Sequence, residues 1–103
     1  MDRQVIWSYE ATSDLDALAE YIAKDSPFYA AAFIQEALEA GYSLFEFSER
    51  GRTVPELGHT HIRELLVRDY RLIYHVHETR VVILAFIHGS RDLKKLWEHE
   101  KRE

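Results

Sequence analysis

The chain has 103 residues, of which 47% are hydrophobic and 30% charged, and its formal net charge at pH 7 is −5. This length allows one domain, residues 1–103, with a single hydrophobic core, and the composition is that of an ordinary globular protein. The absence of cysteine excludes disulfides and thiolate metal sites, and the negative charge disfavours strong non-specific binding of nucleic acid.

The first elements predicted along the chain are a strand and a helix. Residues 4–8 form a short apolar run suited to a strand, and Ser8 is placed to cap a helix that continues to about Lys24. The residues at helical spacing on its inner face are Ala11, Leu15, Leu18, Ala19 and Ile22. The residues predicted on its outer face are Asp14, Asp16 and Glu20.

A second helix is predicted to begin at Pro27 and to end near Ser48. Proline is tolerated in the first helical turn, and Ser26 before it is a suitable N-cap. The apolar face of this helix comprises Ala30, Phe33, Ile34, Ala37, Leu38, Gly41, Leu44 and Phe45. Its many small residues would let the two helices approach closely in an antiparallel hairpin.

The second half of the chain predicts a sheet. Residues 48–59 contain two glycines and a proline and are predicted to form a loop. Three strands are predicted at residues 61–67, 70–77 and 80–88, with connections short enough for hairpins. The last strand is apolar on both faces and is expected inside the sheet. With a short helix after Arg91, the order is β-α-α-β-β-β-α. This order indicates an α+β fold with an antiparallel sheet packed against a helical hairpin.

Charge is distributed unevenly between the two halves. Residues 1–49 carry ten acidic and two basic side chains, whereas residues 50–103 carry eleven basic and eight acidic ones. This asymmetry predicts either a segregated charged surface or helices with ordinary solvated carboxylates, and the two interpretations are equally weighted.

The residues most indicative of function are cationic and lie in the sheet-forming half. They are Arg52, Arg63, Arg71, His88 and Arg91. Guanidinium groups suit bidentate recognition of phosphate or carboxylate, so this set predicts a site for an acidic or anionic partner. With histidine as acid or base, the same set could serve a ribonuclease that uses the 2′-hydroxyl of its substrate.

A structural role for these arginines is the favoured alternative. In that hypothesis the acidic groups that pair with Arg63, Arg71 and Arg91 are Glu64, Glu56 and Asp92, or the carboxylates of a partner. It is favoured over ribonuclease chemistry because the chain lacks the basic surroundings that a messenger-RNA substrate would need.

Two further sets of residues carry weaker signals. His59 and His61 are two positions apart, as are His75 and His77, but no carboxylate stands at a recognised ligand spacing. Ordinary surface histidines are therefore predicted, with no metal and no cofactor. Ser90 lies in H-G-S-R rather than in G-x-S-x-G, so serine hydrolase chemistry is not expected.

Seven short motifs, in order along the chain, resemble those of the RelE/ParE toxin superfamily. They are W-S-x-x-A-x-x-D-L (residues 7–15), Y-I-A (21–23), S-P-x-x-A (26–30), G-R-x-V-P-E (51–56), I-R-E (62–64), Y-R-L-I-Y (70–74) and I-H-G-x-R (87–91). The likeness spans about residues 4–93 and is closer to the ParE branch. A strand, a helical hairpin and a three-stranded meander are the fold that the resemblance implies.

The resemblance implies the toxin of a type II toxin–antitoxin module of the plasmid-stabilisation kind, a growth inhibitor neutralised by an antitoxin encoded upstream. ParE-like members poison DNA gyrase without a nuclease site, which is the favoured expectation here and leaves no catalytic residue assigned. RelE-like members cleave messenger RNA in the ribosome. For that activity the implied catalytic set is Arg63, Arg71, His88 and Arg91. A third hypothesis is an inactive remnant that only binds antitoxin.

The expected partners follow from the same resemblance. They are the antitoxin and either gyrase or the ribosome, and operator DNA would be contacted only through the antitoxin. No apolar run approaches 18 residues and the N-terminus has no signal-peptide pattern, so we expect a cytoplasmic protein with no membrane partner.

Overall fold

The computed structural model describes residues 1–103 and places two long helices before most of the sheet. The elements in chain order are β1 (Gln4–Trp7), α1 (Tyr9–Ala23), α2 (Pro27–Tyr42), the 3₁₀ helix η1 (Ser43–Phe45), β2 (Arg52–Thr53), β3 (Ile62–Val67), β4 (Tyr70–Val76), β5 (Arg80–His88) and α3 (Leu93–His99). The predicted α+β fold is confirmed. No helix is long and apolar enough to span a membrane.

The five strands form one sheet in the order β1-β5-β4-β3-β2. The meander of β3, β4 and β5 is antiparallel, and β5 lies in the interior as predicted. β1 pairs with β5 in parallel, unlike the other strands. The α1–α2 hairpin, β2, β3 and β4 all lie between these two strands along the chain. β2 lies within the segment predicted as a loop. Its two residues pair with Glu64 and Arg63, and so short a strand leaves no pattern in sequence.

Side-chain caps begin both long helices, as predicted. The hydroxyl of Ser8 accepts the amide of Ala11 at 3.0 Å, and that of Ser26 accepts the amide of Tyr29 at 3.1 Å. The predicted end of α2 near Ser48 was wrong, because the chain tightens into η1 after Tyr42. This tightening breaks the helical spacing, so Phe45 is 40% exposed rather than part of the inner face. Leu38, also predicted on that face, is 44% exposed.

The sheet separates two hydrophobic clusters. The α1–α2 hairpin packs on one face against residues such as Leu72 and Phe86, and α3 packs on the other face against Ile73. Gly41 brings α2 close to the sheet, since a Cβ there would lie 3.0 Å from Ile83 Cδ1. β5 is apolar on both faces because the helical hairpin covers one face of the sheet and α3 covers the other.

Asp14 was predicted on the outer face of α1, and that prediction was wrong. Its carboxylate accepts the backbone amide of Phe86 at 3.0 Å and Nη1 of Arg102 at 2.5 Å. The pairing of β1 with β5 stops at Ile83, so the edge of β5 beyond that point needs another acceptor. α1 lies along this edge and supplies one.

Candidate partner-binding site

A network of ion pairs joins β2, β3 and β4 on the face that also carries α3. At its centre is Glu64, which is 2% exposed and accepts Nε of Arg52 and Nε of Arg71, each at 2.6 Å. Nη1 and Nη2 of Arg71 donate to the two carboxylate oxygens of Glu56, both at 2.8 Å. We call Arg52, Glu56, Glu64 and Arg71 the Arg71 network.

Strand register brings these side chains together. Arg52 lies directly opposite Glu64 in the β2–β3 pair. Arg71 lies opposite Leu66 in the β3–β4 pair, which makes it the diagonal neighbour of Glu64. Glu56 reaches the network because Val54, two residues before it, is buried and anchors the loop.

Arg71 is enclosed and electrostatically satisfied. It is only 5% exposed, and two carboxylates share its charge. The hydrogen bonds from Arg71 hold the pKa of Glu56 at about 2, against the opposing effect of burial. The same bond to Glu56 raises the pKa of Arg71, again against burial. Bidentate pairing of this kind is the strong form of an ion pair, and it engages all three guanidinium nitrogens of Arg71 with carboxylates.

Gly51, immediately before β2, is bonded to side chains of both β3 and β4. Its amide donates to the Tyr74 hydroxyl at 2.9 Å, and its carbonyl accepts Nη1 of Arg63 at 2.8 Å. A Cβ at this position would lie 2.5 Å from the carbonyl oxygen of Glu64 and 2.6 Å from the Tyr74 hydroxyl, so no side chain fits. Burial raises the pKa of Tyr74, and its hydroxyl acts as a structural acceptor.

Three motifs of the superfamily resemblance therefore form one structural unit. G-R-x-V-P-E supplies Gly51 and Glu56, I-R-E supplies Glu64, and Y-R-L-I-Y supplies Arg71 and Tyr74. Of the three arginines predicted to pair with Glu64, Glu56 or Asp92, Arg71 does so, with both Glu56 and Glu64. Arg63 instead bonds to the carbonyl of Gly51. These residues hold the loop before β3 against the sheet.

Other predicted site residues remain open to solvent. The side chain of Arg52 is 65% exposed and has only its Nε engaged with Glu64. His88 and Arg91 are exposed in the turn that follows β5. The predicted pairing of Arg91 with Asp92 is absent, because the carboxylate of Asp92 instead caps α3 by accepting the amide of Lys95 at 3.1 Å. Arg63 lies between these extremes, half-buried and bonded to Gly51.

Two shallow grooves flank the turn after β5. One, of about 320 Å³, is lined by Arg52, Pro55, Glu56, Leu66, Arg71 and Gly89. The other, of about 330 Å³, is lined by Arg91, Asp92, Lys95, Leu96, His99 and Glu100. Each groove combines cations with one large apolar residue, a composition that suits a protein segment with acidic and apolar side chains.

His88 is held in one tautomer by its own turn. Its Nδ1 accepts the amide of Ser90 at 3.1 Å and lies 2.7 Å from the Ser90 hydroxyl. In the neutral ring this arrangement leaves the proton on Nε2, which is then the free donor of an exposed side chain. The ring also packs edge-on against Tyr70, with centroids 5.2 Å apart. His88 thus offers a hydrogen bond to an anion rather than a free basic nitrogen.

The site includes residues that sequence reasoning missed. Leu66 is 67% exposed on β3 and lines the first groove, whereas Lys95 and His99 line the second. Lys95 and His99 are four residues apart on α3, and that spacing is a sequence signal for a shared helix face. Leu66 carries no such signal, because a leucine in a strand is normally buried. Its exposure arises only because no other element packs over this part of β3.

Comparison with known proteins agrees with this architecture. The family model described as the ParE toxin of the type II toxin–antitoxin system parDE matches residues 5–93. The chain belongs to the ParE toxin family. Toxin RelE2 of Caulobacter vibrioides is 36% identical over 89 residues, which cover 85% of this chain and 97% of that protein.

Two solved structures share the fold of this ParE-family chain. The chromosomal ParDE system from P. aeruginosa superposes with a TM-score of 0.70 at 21% identity, covering 84% of this chain and 95% of that one. The toxin–antitoxin complex RelBE2 from Mycobacterium tuberculosis gives a TM-score of 0.61 at 24% identity, covering 85% and 99%. With the family match, they place the chain in the RelE/ParE superfamily as a toxin of a type II toxin–antitoxin system.

Proposed function

We propose that this toxin inhibits growth by binding DNA gyrase, without cleavage chemistry of its own, and that a cognate antitoxin encoded upstream neutralises it. The observation that carries the proposal is the state of Arg71. Every nitrogen of its guanidinium already donates to Glu56 or Glu64. A guanidinium whose charge is already shared by two carboxylates stabilises the fold and adds little stabilisation to the negative charge of a transition state.

The proposed antitoxin contact lies along the turn after β5 and the two grooves beside it. Arg52, His88 and Arg91 present cations or donors there, and Arg71 contributes by holding the groove wall in place. Arg63 lies on the other face of β3 and supports this surface through its bond to Gly51. An antitoxin partner is supported by the structural neighbours, which are a ParDE system and a RelBE2 toxin–antitoxin complex. The antitoxin segment would be acidic with apolar anchors, and operator DNA would be reached only through the antitoxin.

The second candidate function is ribosome-dependent cleavage of messenger RNA. The similar protein named Toxin RelE2 favours it, as do the exposed cations beside α3. Such a reaction needs a base for the 2′-hydroxyl, an acid for the leaving group and free cations for the phosphorane-like charge. Its residues would be Arg63, Arg71, His88 and Arg91. The engaged Nδ1 of His88 and the paired guanidinium of Arg71 support the gyrase proposal over this one.

Induction of the toxin separates the two candidates. Under the gyrase proposal we expect filamentation and an SOS response in cells, and gyrase-dependent DNA cleavage or loss of supercoiling activity with purified components. Under the nuclease hypothesis, translation stops promptly and cut messages accumulate. An inactive remnant would bind antitoxin and cause neither effect.

Replacement of His88 provides a second discriminator. His88→Ala should remain toxic if gyrase is the target and should lose toxicity if His88 takes part in RNA cleavage. His99→Ala is a matched control, because it removes another exposed imidazole near the same grooves. Circular dichroism and thermal melting would establish that both variants are folded. A folded His88→Ala protein that leaves messages intact and growth normal would contradict the proposal.

A further inference from the structure

Four of the six histidines gather at one place on the sheet, away from the site described above. The ring of His75 stacks on that of His77 with centroids 4.0 Å apart, and it lies 5.1 Å from the ring of His59. The rings of His59 and His61 are 6.0 Å apart. We call these four residues the histidine cluster. The proposed function makes no use of it.

The geometry of the histidine cluster differs from that of a metal site. The nitrogen lone pairs of an imidazole lie in the plane of the ring, so two stacked rings do not direct them to a common point. No three histidine, aspartate or glutamate side chains are arranged to hold a metal ion. The cluster is therefore a set of neighbouring rings whose mutual contact depends on their protonation.

One hydrogen bond in the cluster requires a neutral ring. Nδ1 of His59 accepts the backbone amide of His61 at 3.1 Å. A protonated imidazole carries hydrogen on both nitrogens and cannot accept, so proton uptake at this nitrogen breaks the bond. The bond closes the turn that leads into β3, where the carbonyl of His59 also accepts the amide of Ile62 at 3.2 Å.

His75 resists protonation for a different reason. Its Nδ1 is buried and has no hydrogen-bond partner, so a proton there would be a donor without an acceptor. Burial lowers the pKa of His75 most, and the charges of His77 and His59 lower it further. Burial also lowers the pKa of His77, with the charge of Arg80 adding to it.

The other charged groups around the cluster are mixed in sign. They are Arg3, Glu49, Glu78, Arg80 and Glu103. The carboxylate of Glu103 raises the pKa of His75, but its effect is smaller than those of burial, His77 and His59. Arg3 is held by the carbonyl of His77 at 2.8 Å, which keeps a fixed positive charge beside the cluster.

The histidine cluster borders the 54–61 loop, which also carries part of the Arg71 network. At the start of this loop, the amide of Val54 donates to the carbonyl of Ile62 at 3.3 Å. At its other end stand His59 and His61. Between these anchors, Glu56 covers the guanidinium of Arg71.

We propose that the histidine cluster is an acid-sensitive clasp, in which proton uptake by His59 and His75 releases the 54–61 loop from the sheet and uncovers Arg71. With the loop closed, His75 is held neutral and Nδ1 of His59 is occupied as an acceptor. With the loop open, Nδ1 of His59 no longer accepts the His61 amide and His75 is free to bind a proton. The open state therefore binds more protons than the closed state.

The sign of the pH dependence follows from this difference. A histidine whose pKa is lowered in the closed state favours that state above its ordinary pKa of roughly 6.5, and this advantage is lost as the pH falls below that value. Each proton taken up on opening changes the opening equilibrium by roughly tenfold per pH unit.

Amide hydrogen exchange between pH 7.5 and 5.5, corrected for intrinsic exchange rates, tests the clasp directly. The amides of Gly58, His61 and Ile62 are hydrogen-bonded in the closed loop. We expect their protection to fall by roughly tenfold per pH unit below about pH 6.5, while amides in β5 keep theirs. Constant protection of these amides across the range would overturn the proposal.

Variants assign the effect to named rings. His59→Asn retains a side-chain acceptor for the His61 amide but cannot titrate, and His75→Phe retains a ring without a titrating nitrogen. Each should reduce the pH slope, and the double variant should abolish it. His99→Gln, in α3 and outside the cluster, should leave the slope unchanged.

A double variant with the wild-type slope would contradict the clasp. If His75→Phe fails to fold, His59→Asn still decides the matter, because an unreduced slope in that variant overturns the role of His59. The readout is independent of the proposed function, since hydrogen exchange involves neither gyrase nor RNA.

Discussion

Arginines in two parts of this toxin have opposite environments. Arg71, in the middle of β4, is enclosed by two carboxylates and is 5% exposed, whereas Arg91, in the turn after β5, is exposed and has no side-chain partner. Both belong to motifs of the same superfamily resemblance. The comparison teaches that a motif arginine can be either a structural tie or a docking group, and that its neighbours in space decide which.

The largest difference between the two regions should appear in stability. Arg71→Met leaves the buried Glu64 with Arg52 as its one remaining cation and takes the bidentate partner from Glu56. Breaking a buried pair costs about 3–5 kcal/mol, and the remaining bond to Arg52 places the loss at the lower end of that range. Arg91→Met removes an exposed group and should stay within about 0.5 kcal/mol of wild type. Free energies of unfolding from denaturant titration measure both. Equal losses of unfolding free energy in the two variants would contradict the assignment of Arg71 to structure and Arg91 to binding.

Gly51 provides the next test of the region around Arg71. Gly51→Ala places a methyl group against the carbonyl of Glu64 and the hydroxyl of Tyr74, and overpacking of this kind costs about 1–3 kcal/mol. Gly58→Ala is the matched control. A Cβ added at Gly58 would meet open space. The only cost is that alanine must adopt the positive φ of 59° found there, which costs about 1 kcal/mol. The order of the two melting temperatures checks the prediction, and a lower melting temperature for Gly58→Ala would refute it.

Acid should weaken the Arg71 network through Glu56. The pKa of Glu56 is lowered from 4.5 to about 2, so the stabilisation from this carboxylate is complete above about pH 4.5 and is lost as the pH falls towards 2. Glu56→Gln removes the titration and should flatten this part of the stability–pH curve. Denaturant titrations at pH 5 and pH 3 provide the measurement. An unchanged slope in the variant would show that Arg71 does not perturb Glu56.

The smallest expected effect is on the rate at which the antitoxin binds, and it concerns the exposed turn that carries Arg91. Arg91→Met should slow association with the antitoxin by a few-fold and reduce its dependence on salt, because exposed charges at the rim of an interface act mainly on association. Stopped-flow association at 50 and 300 mM salt measures this. Arg80→Met, which removes an exposed arginine at the start of β5, is the control. Salt-independent association of the wild type would indicate apolar anchoring instead.

Local patterns predicted most of the fold. Helical spacing and the serines at positions 8 and 26 located both long helices, and hairpin-length connections located β3, β4 and β5. The same patterns misplaced Asp14, because a polar residue between apolar ones normally faces solvent. Here β1 ends early and the open edge of β5 draws that carboxylate inwards. β2 was not predicted because a strand of two residues is too short to show the alternation of apolar and polar side chains that marks a strand.

The candidate site was predicted less completely than the fold. Sequence supplied the residue types and a set of carboxylates, of which Arg71 takes both Glu56 and Glu64, but the predicted pairing of Arg91 with Asp92 is absent from the structure. Exposure, tautomer and groove shape all depend on neighbours that are distant along the chain. The hydroxyl of Tyr74 reaches Gly51 across 23 positions, and no local pattern encodes that contact.

Spacing along the chain was sufficient for helices, strands and membership of a toxin superfamily, because periodicity, caps and short motifs are local properties. The division of the arginines between a buried network and an exposed turn arose only on folding. Strand register brought Glu64 within 2.6 Å of Arg52 and of Arg71, and the turn after β5 left Arg91 in solvent. Burial and pairing depend on three-dimensional proximity, and a linear pattern does not contain that information.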